Sequence, residues 1–211
     1  MENISQKDAA TILKQGGIGV LATDTLYGLV GCALSKKTVE RIYRVRKRNP
    51  KKPCIILIHS LRDCARFGVK ADARTKQLLS TVWPGKVSVI LPCAFKKFTY
   101  LHRGTNTLAF RMPKNILLRQ VLQKIGPLIA PSANIEGMSP ATTITEAKKY
   151  FSKTVDFYMN AGKRVSAPST LIAIEHGRII IKRQGAVNLL KSHFGHPQLQ
   201  RYTSKAVRHR L

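Results

Sequence analysis

Acid is what this chain has least of: 10 Asp and Glu stand against 37 Lys and Arg in 211 residues, a formal net charge of +27. A mechanism built on paired carboxylates has few residues to draw on. Cysteine is also sparse. Cys32, Cys54, Cys64 and Cys93 form no CxxC pair, and no His or Cys partner stands at zinc-site spacing. They read as buried, reduced thiols of a cytosolic protein. No apolar run approaches the roughly 18 residues of a membrane span. The first residues, MENISQKDAATILKQ, lack the charged-then-apolar pattern of an export signal. No strand is followed by GxGxxG or a Walker loop. Internal repeats and low-complexity segments are missing too.

What is there is an apolar fraction of 44%, enough for a sizeable core, in a length that fits one large domain or one domain with a tail. The basic charge is partly clustered: RVRKRNPKK (44–52) is one cluster, and residues 191–211 carry bases and no acid. A polyanionic partner is the natural inference, because each base that meets a phosphate releases a counterion.

Hydrophobic patterning predicts helices over 6–16, 35–48 (Ser35 as N-cap), 72–82, 115–125 and 143–152, with a short one from 186 to about 194. Strands are predicted at 18–22, 54–58, 87–91, 107–111 and 128–130. A hairpin is predicted from 170–174 and 178–182, turning at Glu175-His176-Gly177. Strands and helices interleave irregularly. That argues for a mixed parallel and antiparallel sheet with helices packed on it, an α/β class.

Several predicted strands end on small or cationic polar residues: Thr23-Asp24-Thr25, Arg111, Ser132-Ala133-Asn134 and Lys182-Arg183. Ligands of open α/β sheets sit beyond strand ends, and hydroxyls, an amide and arginines there suit an oxygen-rich anion. On the helix at 35–48, Val39, Ile42 and Tyr43 form the packing face, and Arg46 falls at i+7 on that face. It either snorkels outward or points inward to an anion. Ser132 has no GxSxG frame, and none of the six histidines is patterned with it. What remains is chemistry by positioning and charge, the style of phosphoryl and nucleotidyl transfer.

Seven blocks then take on a joint meaning: ATDTLYGLVGCA (22–33), RIYRVRKRNPKKPCIIL (41–57), WPGKVSVIL (83–91), TLAFRMP (107–113), GPLIAPSANIEG (126–137), APSTLI (167–172) and IIKRQGA (180–186). In this order they resemble the YrdC-like family, the threonylcarbamoyl-AMP synthases, in its short single-domain form. The resemblance implies a catalytic domain over 5–190, with 191–211 as a basic tail. It implies a twisted mixed sheet flanked by helices around a large, positively charged cavity. It also implies a reaction of ATP, L-threonine and bicarbonate, with Mg2+ accompanying the nucleotide, to give threonylcarbamoyl-adenylate and pyrophosphate. Partner proteins then pass the activated group to an adenosine of certain tRNAs.

The family's Lys-x-Arg and Ser-x-Asn pairs fall on Arg46-Lys47-Arg48 and Ser132-Ala133-Asn134. By resemblance Arg46, Arg48, Ser132 and Asn134 serve the nucleotide and its chemistry. Thr107 and Arg183 line the nucleotide side, and Thr25, Arg111 and Ser169 hold threonine. Two departures stand out. The usual lysine is Arg46, which keeps the charge and changes its shape. Glu136 puts an acid near a phosphate site, facing either a magnesium ion or solvent. Two rival readings stay open: a YrdC-like module kept for binding tRNA or double-stranded RNA, and a carbamoyl-transfer domain of the hydrogenase-maturation type.

Overall fold

The computed structural model describes residues 4–175 and 178–189. The predicted turn at His176 and Gly177 and the tail over 191–211 lie outside the described residues. So does most of the helix predicted from 186, whose described start, 186–189, is not helical.

The five longer helices each begin where a short polar side chain accepts a main-chain N–H, a cap that contributes about 1 kcal/mol. Helix α1 (Gln6–Lys14) is capped by Ser5 and α2 (Lys36–Val45) by Ser35. Beyond the one-turn α3 (Arg62–Ala65), Asp72 caps α4 (Ala73–Val82). A second one-turn helix, α5 (Thr99–His102), precedes α6 (Ile116–Ile125), capped by Asn115, and α7 (Ile144–Phe151), capped by Thr143.

The sequence pattern carried α2 on to residue 48, but the helix stops earlier. Lys47 adopts a left-handed φ of 50°. Its N–H donates to Arg44 O, and the Arg48 N–H donates to Tyr43 O at 2.9 Å. This is a Schellman ending with lysine where glycine is usual. The turn leaves Arg46 at the C-cap and redirects Arg48.

Nine strands among the described residues form one sheet: β1 (Ile18–Ala22), β2 (Tyr27–Cys32), β3 (Ile55–Leu57), β4 (Val87–Pro92), β5 (Thr107–Arg111), β6 (Leu128–Ile129), β7 (Phe157–Tyr158), β8 (Thr170–Glu175) and β9 (Arg178–Arg183). Their order is β7-β1-β2-β6-β3-β5-β4-β8-β9. The β1–β7, β3–β5 and β4–β8 pairs are parallel and the rest antiparallel, so the sheet is mixed as expected. Alternate residues of the same strands enter different apolar clusters. Leu21 and Leu57 pack with Leu13 of α1 and Leu122 of α6, while Val20 and Ile56 join Ile42 of α2 and Leu79 of α4. The two clusters therefore occupy opposite faces of the sheet.

Strand β2 was not visible in the sequence, because Gly28 and Gly31 interrupt its apolar run. Gly31 has a packing reason. A Cβ there would lie 2.5 Å from Thr38 Cγ2 and 3.1 Å from Ile42 Cδ1, both on α2. The absent side chain lets α2 settle on the sheet and brings Arg46 to its place. Gly31→Ala is expected to destabilise the fold by about 1–3 kcal/mol in urea unfolding, the usual cost of overpacking. An unchanged midpoint would show that α2 is not held this closely.

Candidate active site

Ile55 of β3, Ala109 of β5 and Ile90 of β4 stand in register across three adjacent strands. Thr107 and Arg111 share their face, two residues either side of Ala109. Together they floor a cavity of about 470 Å³. The cavity therefore lies over the sheet as well as beyond strand ends. Among the described residues its lining holds four arginines, Arg46, Arg48, Arg111 and Arg183, and no Asp or Glu.

The loop after β6 supplies one wall. Although β6 is short, the chain continues alongside β2: Leu29 N–H donates to Pro131 O at 2.9 Å and Ala133 N–H to Tyr27 O at 2.8 Å. This pairing fixes Ser132 opposite Gly28. Arg46 reaches the loop from α2 and is 5% exposed. Of the two orientations open in the sequence, it takes the inward one. Its Nε donates to Ser132 O at 2.9 Å, and its Nη2 donates to Ser132 Oγ and Asn134 Oδ1, each at 3.0 Å. Three of five donors are thereby used. Nη1 is buried with no partner. Burial, and then the charge of Arg48, hold the guanidinium below its ordinary pKa. An anion at Nη1 would relieve both penalties.

Asn134, expected beside Ser132 at the ligand, stands one layer behind. Its Nδ2 donates to Ile135 O and Met138 O, both at 2.8 Å, and its oxygen accepts from Arg46. It is buried and does not line the cavity. Arg48 does line it. Its Nε and Nη2 donate to Lys52 O and Pro53 O, which pins the guanidinium to its own loop.

The opposite wall is built around Arg111. Thr23 to Leu26 form the loop between β1 and β2, where Thr23 N–H and Oγ1 both donate to Leu26 O. That loop holds Thr25 Oγ1 to accept from Arg111 Nη1 at 2.9 Å. Arg111 Nη2 lies 3.3 Å from Asp24 Oδ1, an ion pair in which both side chains are less than a tenth exposed. Arg111 Nε has no partner. Burial lowers the pKa of Arg111, Asp24 opposes that shift, and Arg183 adds to it.

Ser169 Oγ lies 2.8 Å from Ser88 Oγ, and its carbonyl accepts from Arg183 Nη2 at 2.9 Å. Thr107 donates to Thr105 Oγ1, also in the lining. Thr25, Arg46, Arg48, Thr107, Arg111, Ser132, Ser169 and Arg183 therefore share one basin, with Asn134 behind it.

Among the described residues no histidine lines the cavity. Its one thiol, Cys54, is held protonated by burial, which outweighs the pull of Arg48. Nothing here makes Ser132 or Cys54 a nucleophile. Among the described residues no His, Cys, Asp and Glu cluster forms a metal site. Nor is any helix among them long and apolar enough to cross a membrane. Three of the four cysteines are buried, Cys32 is half-buried, and all are free.

A basin of oxygen-seeking donors on a mixed α/β sheet is the architecture of an anion-binding enzyme family. The model of the Sua5/YciO/YrdC family, described as "Telomere recombination", matches residues 11–185. A putative threonylcarbamoyl-AMP synthase of Methanocaldococcus jannaschii is 32% identical over 179 residues, covering 83% of each chain. Pyrococcus abyssi Sua5, solved in complex with L-threonine, superposes with a TM-score of 0.81 at 25% identity. That match covers 93% of this chain and 59% of the Sua5 chain, so this chain spans little more than half of that relative. E. coli YciO, at 24% identity and a TM-score of 0.77, shares the fold, over 89% of this chain and 94% of its own. The chain belongs to the Sua5/YciO/YrdC family.

Sequence reasoning quoted Asp24 but gave it no role. Its one signal was an acid beside Thr25 in a chain with so few acids. Asp24→Asn leaves the Arg111 charge buried without its counter-ion. It is expected to cost about 3–5 kcal/mol in chemical denaturation, the range for breaking a buried pair. A loss under about 1 kcal/mol would mean that the pair is effectively solvated.

Proposed function

We propose that this chain is an L-threonylcarbamoyladenylate synthase, acting in the cytoplasm ahead of the threonylcarbamoyladenosine modification at position 37 of tRNAs that read ANN codons. The observation that carries the reading is a cavity with four arginines and, among the described residues, no acid in its lining, where one of those arginines, Arg46, has a buried Nη1 without a hydrogen-bond partner. The relatives' names, threonylcarbamoyl-AMP synthase, support the reading, and the reaction proposed is the formation of that adenylate. In it the threonine amine attacks CO2, or bicarbonate with loss of water, to give N-carboxy-threonine. That carboxylate attacks the α-phosphorus of ATP, a new P–O bond forms, and pyrophosphate leaves.

The chain's own residues bind and orient. Arg46 and Arg48 neutralise the triphosphate, and Ser132, Thr107 and Arg183 stand by the nucleotide. Asn134 acts through Arg46, holding its Nη2 so that Nη1 is presented to the phosphates. Thr25, Arg111 and Ser169 hold threonine, with Arg111 Nε toward the carboxylate. No covalent enzyme intermediate is needed. The rate comes from holding carboxylate and phosphorus in line, away from water and flanked by guanidinium groups. Magnesium enters with ATP as part of the substrate. With no acid in the lining, its ligands would be phosphate and water oxygens.

A second reading, a catalytically reduced RNA-binding module, draws on the net charge of +27 and on exposed Arg44, Lys47, Lys51 and Lys52 beside the cavity. In the first reading, tRNA and the transferase proteins that receive the adenylate are the downstream partners.

The purified chain should release pyrophosphate from ATP only when threonine and bicarbonate are both supplied. Arg48→Ala should lower that rate at least about 100-fold, as removal of a preorganised charge donor does, with an unchanged circular dichroism spectrum. Salt-sensitive RNA binding without turnover would favour the second reading.

A further inference from the structure

Glu136 faces neither a metal site nor open solvent. It follows the Ser132–Asn134 segment, yet its contacts are all with the loop that carries Arg46 and Arg48. Its Oε2 accepts the Asn49 N–H at 2.6 Å and its Oε1 accepts the Lys52 ammonium at 3.1 Å. Its own N–H donates to Arg46 O at 3.0 Å. One residue thus grips the 46–52 loop at three points, and its side chain is only 22% exposed.

That loop needs holding. Lys47 stands in the left-handed region at φ 50°, a conformation that costs a non-glycine residue of order 1 kcal/mol. Arg48 comes directly after it, and its guanidinium donates to Lys52 O and to the adjoining Pro53 O and lies 5.9 Å from the centre of the Tyr43 ring of α2. Both of its hydrogen bonds are to this stretch of main chain, so where the guanidinium points depends in large part on where the loop sits. The Asn49 N–H, then Lys52 and Arg48, hold the Glu136 carboxyl below its usual pKa, so the grip is charge-assisted at neutral pH.

We propose that Glu136 is a positioning residue: by clamping the 46–52 loop it aims Arg48 into the cavity and so governs binding of the nucleotide, with threonine binding unaffected. Two contacts between the same segments then work together. Ser132 and Asn134 hold the side chain of Arg46, and Glu136 holds the main chain that follows it. Asp24 and Thr25, on the far wall, hold Arg111 and share no contact with Glu136.

This inference rests on the synthase reading, and one experiment separates the two. Calorimetric Kd values for an ATP analogue and for threonine, and steady-state product formation, are measured for wild type, Glu136→Ala and Glu136→Gln. Glu136→Ala should raise the nucleotide Kd and the KM for ATP about tenfold, the equivalent of about 1.4 kcal/mol. The threonine Kd should stay within about twofold. Glu136→Gln keeps one oxygen for the Asn49 N–H and loses the attraction to Lys52, so it should fall between. If Ala unfolds, the Gln variant alone gives the same comparison. Wild-type values in both variants, or equal losses for ATP and threonine, overturn the proposal while leaving an active wild type as a synthase. A wild-type chain that binds no ATP overturns the synthase reading, and this inference with it.

Discussion

The guanidinium of Arg46 is the point at which the structure and the proposed chemistry meet. It is buried, it already uses three donors on Ser132 and Asn134, and it still has one nitrogen with no acceptor. An unpaired charged donor in a protein interior costs free energy. Its presence needs either a partner that comes and goes or a fold that tolerates the loss. The surroundings favour the former. Gly31 lets α2 approach the sheet, the Schellman turn ends the helix at Arg46, and the β2–β6 pairing extends far enough to set Ser132 against it.

Arginine at position 46, where the resemblance read from the sequence leads one to expect lysine, fits this constraint. A lysine has one nitrogen to share among the Ser132 carbonyl, the Ser132 hydroxyl, the Asn134 amide and a ligand. Arginine's fork serves the first three from one edge and leaves Nη1 unpaired. Among the described residues the lining has no carboxylate, and of its arginines Arg111 alone is ion-paired, with Asp24 behind the wall. Burial is the first cause that lowers the pKa of Arg46, Arg111 and Arg183, and a neighbouring arginine adds to it at Arg46 and at Arg111. A bound polyanion would offset both the burial of these charges and their repulsion, an effect sensitive to ionic strength where the site is open.

Much of this was legible in the sequence, for local reasons. The i, i+3, i+4, i+7 spacing put Arg46 on the buried face of its helix. The apolar runs marked seven of the nine strands among the described residues, and Ser35 was readable as the N-cap of α2. What escaped depended on contacts distant in sequence. Asp24 and Thr25 meet Arg111 only because a hairpin loop folds against β5, 86 positions on from Thr25. The same holds for the Ser88–Ser169 contact and for Glu136, whose partners lie more than 80 positions earlier. β2 was hidden by glycines present for packing, and β7 by being two residues long. Asn134 was legible as part of a motif but not as a support for Arg46, because motif membership does not tell which of two neighbours faces the ligand.

The most direct test is a crystal structure of this chain with a non-hydrolysable ATP analogue and threonine. The account requires a phosphate oxygen at hydrogen-bonding distance, about 3 Å, from Arg46 Nη1, with Asn134 still holding Nη2. A nucleotide bound elsewhere, with Nη1 facing only solvent or protein, would contradict it.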